Sequence, residues 1–179
     1  MAEQASDPGL PVQLGYTRNR IPVLKFFVED KPTFFLVDTG TPFTAVSLRQ
    51  VETWGLEHKI QRCDNGYFYG TVTAELLHSQ EEYYQSTEAY IIAKDFRFHV
   101  MANIGGNLLG LDFLTSARCV LDLDPERPFL YLHEPPENKA FQWMYADVSV
   151  NGIEVRAVLD TGYTDLLSVS QEQAEELQL

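Results

Sequence analysis

The sequence predicts a mainly β protein, built as one complete lobe followed by the front half of a second similar lobe. Two observations carry this. Most apolar runs are strand-length and bounded by Gly, Pro or Asp. The stretch around Asp38-Thr39-Gly40 also recurs around Asp160-Thr161-Gly162, at an offset of 122 (160 − 38).

Residues 1–11 are polar and contain Pro and Gly, as a loose arm does. From Val12 the pattern becomes strand-like. The apolar runs 21–28 and 33–37, separated by the turn formers Glu29-Asp30-Lys31-Pro32, predict a β-hairpin running into Asp38. Leu48, Val51 and Trp54 stand three apart and Gly55 follows, which predicts a short helix over 48–54. Strand candidates follow at 67–74, 89–93 and 96–100. Next come a Gly-rich turn, the apolar pair Leu108-Leu109 and a short helix over 111–117, and then a closing hairpin over 120–132. The clearest linker is Glu134-Pro-Pro-Glu-Asn-Lys. The expected organisation is therefore an arm over 1–11, a lobe over 12–133, a linker over 134–142 and a partial lobe over 143–179. When the repeats are laid over each other without gaps, Phe26 and Val28 meet Val148 and Val150, and Asp30 meets Gly152. A third helix, over 171–177, matches the one at 48–54.

With 45% hydrophobic and 12% aromatic residues among 179, the chain is able to bury a sizeable core. A formal charge of −13 repels a phosphate backbone and an anionic membrane surface, so neither nucleic acid nor membrane is expected as a partner. The N-terminus lacks the basic start and apolar run of a signal peptide, and no stretch approaches eighteen apolar residues, so the expected location is cytoplasmic or otherwise intracellular. Cys63 and Cys119 form no Cys-x-x-Cys pair and are expected to be buried thiols. His58, His78, His99 and His133 lack metal-like spacing, so no metal is expected and each is read as a surface or satisfied core position. Gly105-Gly106 to Gly110 lacks the Gly-Lys-Ser/Thr of a phosphate loop, and there is no Gly-x-Ser-x-Gly elbow; no cofactor is expected.

Three features resemble the retropepsin-like aspartic proteases, the retroviral and retrotransposon enzymes and their cellular relatives, as well as the two-lobed pepsins. An apolar strand enters Asp38-Thr39-Gly40-Thr41. Leu108-Leu109-Gly110-Leu-Asp112-Phe-Leu114 is similar to the apolar-apolar-Gly strand and following helix of that family. The segment 155–164 then repeats the first feature around Asp160-Thr161-Gly162. The resemblance implies a closed β-barrel lobe and an aspartic endopeptidase in which Asp38 and Asp160 are catalytic. It further implies that Thr39 and Thr161 tie the two active-site loops together, and that Gly40 and Gly162 permit a tight turn and close approach. Gly110, behind Leu108 and Leu109, lets its strand pass beside the catalytic loop. Substrate in the family lies under a hairpin flap, expected here between Ile60 and Ile92 with Asn65-Gly66-Tyr67 as its turn.

The chemistry accounts for the residue types. Hydrolysing a peptide by activated water needs one carboxylate to take a proton and one carboxylic acid to give one. Two aspartates side by side supply both, because like charges that close share a single proton. The expected partner is a peptide or protein substrate. Three assemblies stay open on sequence alone: an Asp38/Asp160 pair within the chain, a homodimer pairing Asp38 with its symmetry mate, and completion of the partial lobe by a missing C-terminal half-lobe. The alternative from another class is a catalytically inactive protease-like module for dimerisation or peptide binding.

Overall fold

A computed structural model describes residues 9–63, 68–79, 89–137, 140–165 and 168–179. The chain is mainly β, in three sheets with short helices between them. Among the described residues, no helix is long and apolar enough to cross a membrane.

The alternation read from the sequence builds the central hairpin. Strand β3 (Pro22–Val28) buries every second residue, among them Leu24, Phe26 and Val28, and β4 (Lys31–Val37) buries Thr33, Phe35 and Val37. The turn is tighter than expected. Only Glu29 and Asp30 lie between the strands, with Glu29 at φ 58°, while Lys31 and Pro32 are already part of β4. Pro32 is tolerated because β4 meets its second neighbour only at Leu36 and Val37, so no ladder bond is demanded of its missing N–H on that side.

Downstream, β5 (Ala45–Ser47) leads straight into α1 (Leu48–Trp54). Ser47 caps the helix by accepting from Gln50 N at 3.0 Å, and Gly55 ends it in the left-handed region at φ 75°. Trp54 turns inward and donates through Nε1 to Thr33 Oγ1 at 2.9 Å, which satisfies the buried indole. Strand β6 (Gln61–Arg62) pairs antiparallel with β7 (Gly70–Ser79), and β7 with β8 (Ala89–Met101). The two strand candidates at 89–93 and 96–100 are thus one continuous strand, and the candidate at 67–74 begins at Gly70. Next are β9 (Leu108–Leu109) and α2 (Leu111–Ser116).

The strand order β3-β4-β9-β5-β8-β7 returns to β3 through Phe27 opposite Leu77 and Val28 opposite Leu76, closing a six-stranded barrel. Its interior is aromatic: Phe26, Phe35, Phe96, Phe98 and Phe113 are all essentially inaccessible to solvent. The outlying strand β2 (Gly15–Tyr16) pairs with β3. A second sheet joins β1 (Leu10–Gln13), β11 (Phe129–Leu132) and β10 (Val120–Asp122). Leu10 and Pro11, expected in the arm, pair there with Leu132 and Tyr131, because their backbone groups find a ladder.

The third sheet is the hairpin of β12 (Tyr145–Val150) and β13 (Ile153–Val158), turned by Asn151 and Gly152 at φ 51° and 80°. It is followed by α3 (Gln171–Glu176), whose N-terminus is a capping box of Ser170 and Gln173. Asn151 donates to Leu177 O at 3.0 Å and so holds the end of this helix on the hairpin turn. The start of the expected linker lies on the end of α2: His133 and Glu134 amides donate to Ala117 O, and Glu137 N to Ser116 Oγ.

One position tests the barrel's closure. A Cβ on Gly110 would stand 2.5 Å from the Phe43 carbonyl carbon and 2.9 Å from Thr41 O, both backbone atoms that cannot swing away. The collision is with the loop after Asp38-Thr39-Gly40 and not with the strand that enters Asp38. Gly110→Val is expected to lower unfolding free energy by about 1–3 kcal/mol or more, measured by urea denaturation; unchanged stability would refute this packing.

Candidate active site

The two Asp-Thr-Gly turns meet face to face. Thr39 N donates to Thr161 Oγ1 at 3.1 Å, and Thr161 N donates to Thr39 Oγ1 at 3.0 Å. Each hydroxyl then donates onward across the pair, Thr39 Oγ1 to Leu159 O at 2.7 Å and Thr161 Oγ1 to Val37 O at 2.6 Å. Four bonds thereby lock the strand ends leading into Asp38 and Asp160. Serine would supply the same oxygen, but threonine's branched χ1 holds it in one direction.

This lock brings the carboxyls of Asp38 and Asp160 together within a hydrogen bond of each other. Each is also oriented by its own turn: Gly40 N donates to Asp38 Oδ1 and Gly162 N to Asp160 Oδ1, both at 2.9 Å. The glycines are required by space and not by backbone angle, since neither has a positive φ. A Cβ on Gly40 would fall on the Asp160 carboxyl, and one on Gly162 would stand 2.7 Å from the Asp38 carboxyl carbon. Each glycine is the floor against which the opposite aspartate rests.

The two carboxyls are not equivalent. Asp38 is half-buried and its Oδ2 accepts from Thr41 Oγ1 at 2.7 Å; Asp160 is exposed, and Tyr163 takes the place of Thr41 in its turn. Burial raises the Asp38 carboxyl above its ordinary value, the Thr41 hydroxyl opposes this, and the neighbouring Asp160 charge adds to the rise.

Behind Asp38, β9 runs parallel to β4, and Leu109 O accepts from Asp38 N at 3.0 Å. A residue that sequence reasoning gave no role anchors this layer. Asp112 is buried, and its Oδ1 accepts from Thr44 N, Thr44 Oγ1 and Phe113 N at 2.7, 2.7 and 2.8 Å. The visible signal was a charged residue between apolar Leu111 and Phe113. Burial raises this carboxyl too, against those hydrogen bonds.

Phe43, next in the loop, packs against His99, Phe68 and Phe141, with ring centroids 4.5, 5.7 and 5.8 Å away. The histidines depart from expectation in part. His58 and His133 are exposed, but Nδ1 of His78 and of His99 is buried without a hydrogen-bond partner, and burial lowers both imidazoles, with help from Lys25 and Arg97 respectively. Cys63 and Cys119 form no disulfide and are only partly buried, and Cys63 Sγ donates to Phe68 O at 3.2 Å; the Cys119 thiol is pushed up to about 12 by burial. Among the described residues no cluster of His, Cys, Asp or Glu is arranged to hold a metal. Asn65, Gly66 and Tyr67 lie outside the described residues; the pairing of Arg62 with Gly70 brackets them.

In fold, the chain is similar to a retropepsin-like aspartic protease from Rickettsia conorii. That match has 18% identity and a TM-score of 0.49, covering 68% of this chain and 90% of the other. It is also similar to the retroviral protease-like domain of Ddi1 from Leishmania major, at 16% identity and a TM-score of 0.44, covering 57% of this chain and 80% of that one. No family model matches the sequence, and comparison with curated proteins finds no match. The closed barrel, the doubled Asp-Thr-Gly turn and the parallel Leu108-Leu109 strand make the fold retropepsin-like.

Two outcomes follow from the lock. Thr161→Val keeps the shape but strands Thr39 N and Val37 O, and is expected to cost on the order of 1–3 kcal/mol and to expose residues 134–142 to limited proteolysis. Protonation gives the second. A carboxyl raised in the folded state binds its proton more tightly there, so its favourable contribution is complete below the unfolded value of 3.8 and is lost as pH rises through the higher folded value. The stability difference between the natural chain and Asp38→Asn, measured by urea denaturation, is therefore expected to shift against the natural chain as pH rises above about 4; a pH-independent difference would refute it.

Proposed function

We propose that the chain is an aspartic endopeptidase in which Asp38 and Asp160 share one proton and activate water between them. A single observation carries this reading: the reciprocal Thr39–Thr161 bonds, which hold two carboxyls against each other at the ends of two apolar strands. Repulsion between the anions is relieved by keeping one proton on the pair. The ionised partner takes a proton from water as it attacks the scissile carbonyl, and the protonated partner gives its proton to the carbonyl oxygen. The half-buried position of Asp38 favours holding the shared proton there before substrate arrives, while exposed Asp160 is open to water.

The substrate class is peptide or protein, met in extended form across the paired turns. The pair forms within one chain, so a homodimer matching Asp38 to its symmetry mate is not needed to assemble it. The Asn65-Gly66-Tyr67 turn is assigned as the flap on the resemblance alone.

The test is cleavage of a broad peptide library between about pH 3 and pH 8. Activity is expected to follow a bell on the acidic side of neutral, falling when the pair is doubly protonated or doubly ionised. Asp38→Asn and Asp160→Asn are each expected to reduce kcat by about 100-fold or more. Full activity in Asp160→Asn would move the pair to an Asp38/Asp38 dimer. Inactivity of the natural chain throughout, with peptide still bound, would make it a non-catalytic protease-like module.

A further inference from the structure

His99 is an imidazole packed as an apolar ring. It stands between Phe43 and Phe68, with ring centroids 4.5 and 4.6 Å away, and the two phenyl rings meet each other edge-on at 5.7 Å. Its Nδ1 is buried in this cluster without a hydrogen-bond partner. Among the described residues its neighbours offer no counter-charge. β5 places Ala45 opposite His99 and β7 places Thr71 there, while the loop brings Thr41, Pro42, Phe43 and Thr44. Asp112, beyond Thr44, is already taken up by three donors, and Arg62 on β6 is turned onto the Tyr69 ring. Burial first, and then the charge of Arg97 two residues along β8, lowers this imidazole below its ordinary range. A protonated imidazole needs an acceptor for each of its two N–H groups, so the charged form has to leave the cluster.

Phe43 connects this cluster to the first Asp-Thr-Gly turn. The backbone of its loop is held by Leu111 N donating to Thr41 O, Asp112 N to Pro42 O and His99 N to Thr44 O, at 2.9, 3.0 and 2.9 Å. Its side chains are braced by the rings, and at its head Thr41 Oγ1 donates to Asp38 Oδ2 at 2.7 Å. We propose that His99 is a positioning residue for the paired carboxyls: uncharged, it wedges Phe43 and so holds the Thr41 hydroxyl on Asp38, and on taking a proton it releases both. After burial, that hydroxyl is the strongest influence on the Asp38 carboxyl, and it opposes the rise. Its withdrawal lets Asp38 bind a proton more tightly. Proton uptake at His99 therefore promotes uptake at Asp38, and by linkage the converse holds by the same factor. A direct effect of charge has the opposite sign, because an imidazolium stabilises a nearby carboxylate. The inference deepens the endopeptidase reading and rests on it only for the use made of the proton; the titrations that test it are made without substrate.

The experiment titrates the full chain by NMR, following the His99 imidazole, the Phe43 and Phe68 rings and the Asp38 carboxyl, with circular dichroism as the check on folding. In the natural chain His99 is expected to titrate below 6.5, and the two phenyl signals to move at the same midpoint. His99→Phe keeps a ring in the wedge at every pH; it is expected to lower the proton affinity of Asp38 by about fivefold and to hold the Phe43 and Phe68 signals still. Asp38→Asn weakens the Thr41 bond by removing the acceptor's charge, and is expected to raise the proton affinity of His99 by about fivefold. Adding Phe43→Leu cuts the connection while His99 stays in place, and that response is expected to vanish; this arm decides the matter if His99→Phe does not fold. His99 titrating at or above 6.5, phenyl signals that ignore its midpoint, or affinity changes that are absent or of the opposite sign would each overturn the proposal. No cleavage with the coupling intact would leave it standing and remove the endopeptidase reading, whereas cleavage without the coupling would do the reverse.

Discussion

Everything in the candidate site depends on the four hydrogen bonds that Thr39 and Thr161 exchange across the two turns. Two carboxylates on a chain of net charge −13 do not approach each other spontaneously. The approach is enforced because each threonine satisfies two backbone groups of the opposite turn, and separating the turns would leave those groups without partners. The raised carboxyl of Asp38 follows first from its half-burial and then from the enforced closeness of Asp160.

The lock in turn needs support from layers with no part in the chemistry. β9 fixes Asp38 from behind through Leu109 O, and Gly110 lets the loop of residues 41–43 close over β9. Asp112 then fastens Thr44, the far end of that loop, with two bonds and accepts a third from the Phe113 amide beside it in α2. A carboxylate is suited to this because one oxygen accepts from several donors, which compensates its burial. The aromatic interior beneath supplies rigidity, with Phe113 in ring contact with both Phe26 and Phe96, and Phe96 with Phe98.

Much of this was legible in the sequence because it is local or repeated. The helices expected over 48–54, 111–117 and 171–177 end within a residue of those observed, since caps and apolar spacing are short-range signals. The recurrence of Asp-Thr-Gly was visible because both segments keep an apolar strand before it. What escaped depends on contacts between distant segments. Nothing near Gly40 in sequence tells that Asp160 occupies the space a Cβ would need. Nothing around Asp112 names Thr44 as its partner, 68 residues away. Pro32 looked like a turn residue, and its place in β4 is explained by the want, among the described residues, of a neighbouring strand on one side. His78 and His99, read as satisfied or exposed, keep a buried Nδ1 unpartnered because their rings are used for aromatic packing.

The short passage from His133 to Glu137, stitched to Ala117 and Ser116 at the end of α2, fixes where the second repeat departs from the barrel. Meeting of the two turns is thereby an intramolecular event, governed by an effective concentration on the order of millimolar for a short connector and raised further by docking of its first residues. Dilution acts on an assembly of separate chains by mass action, but it has no such hold on partners joined in this way. The paired carboxyls are therefore available at any abundance of the protein.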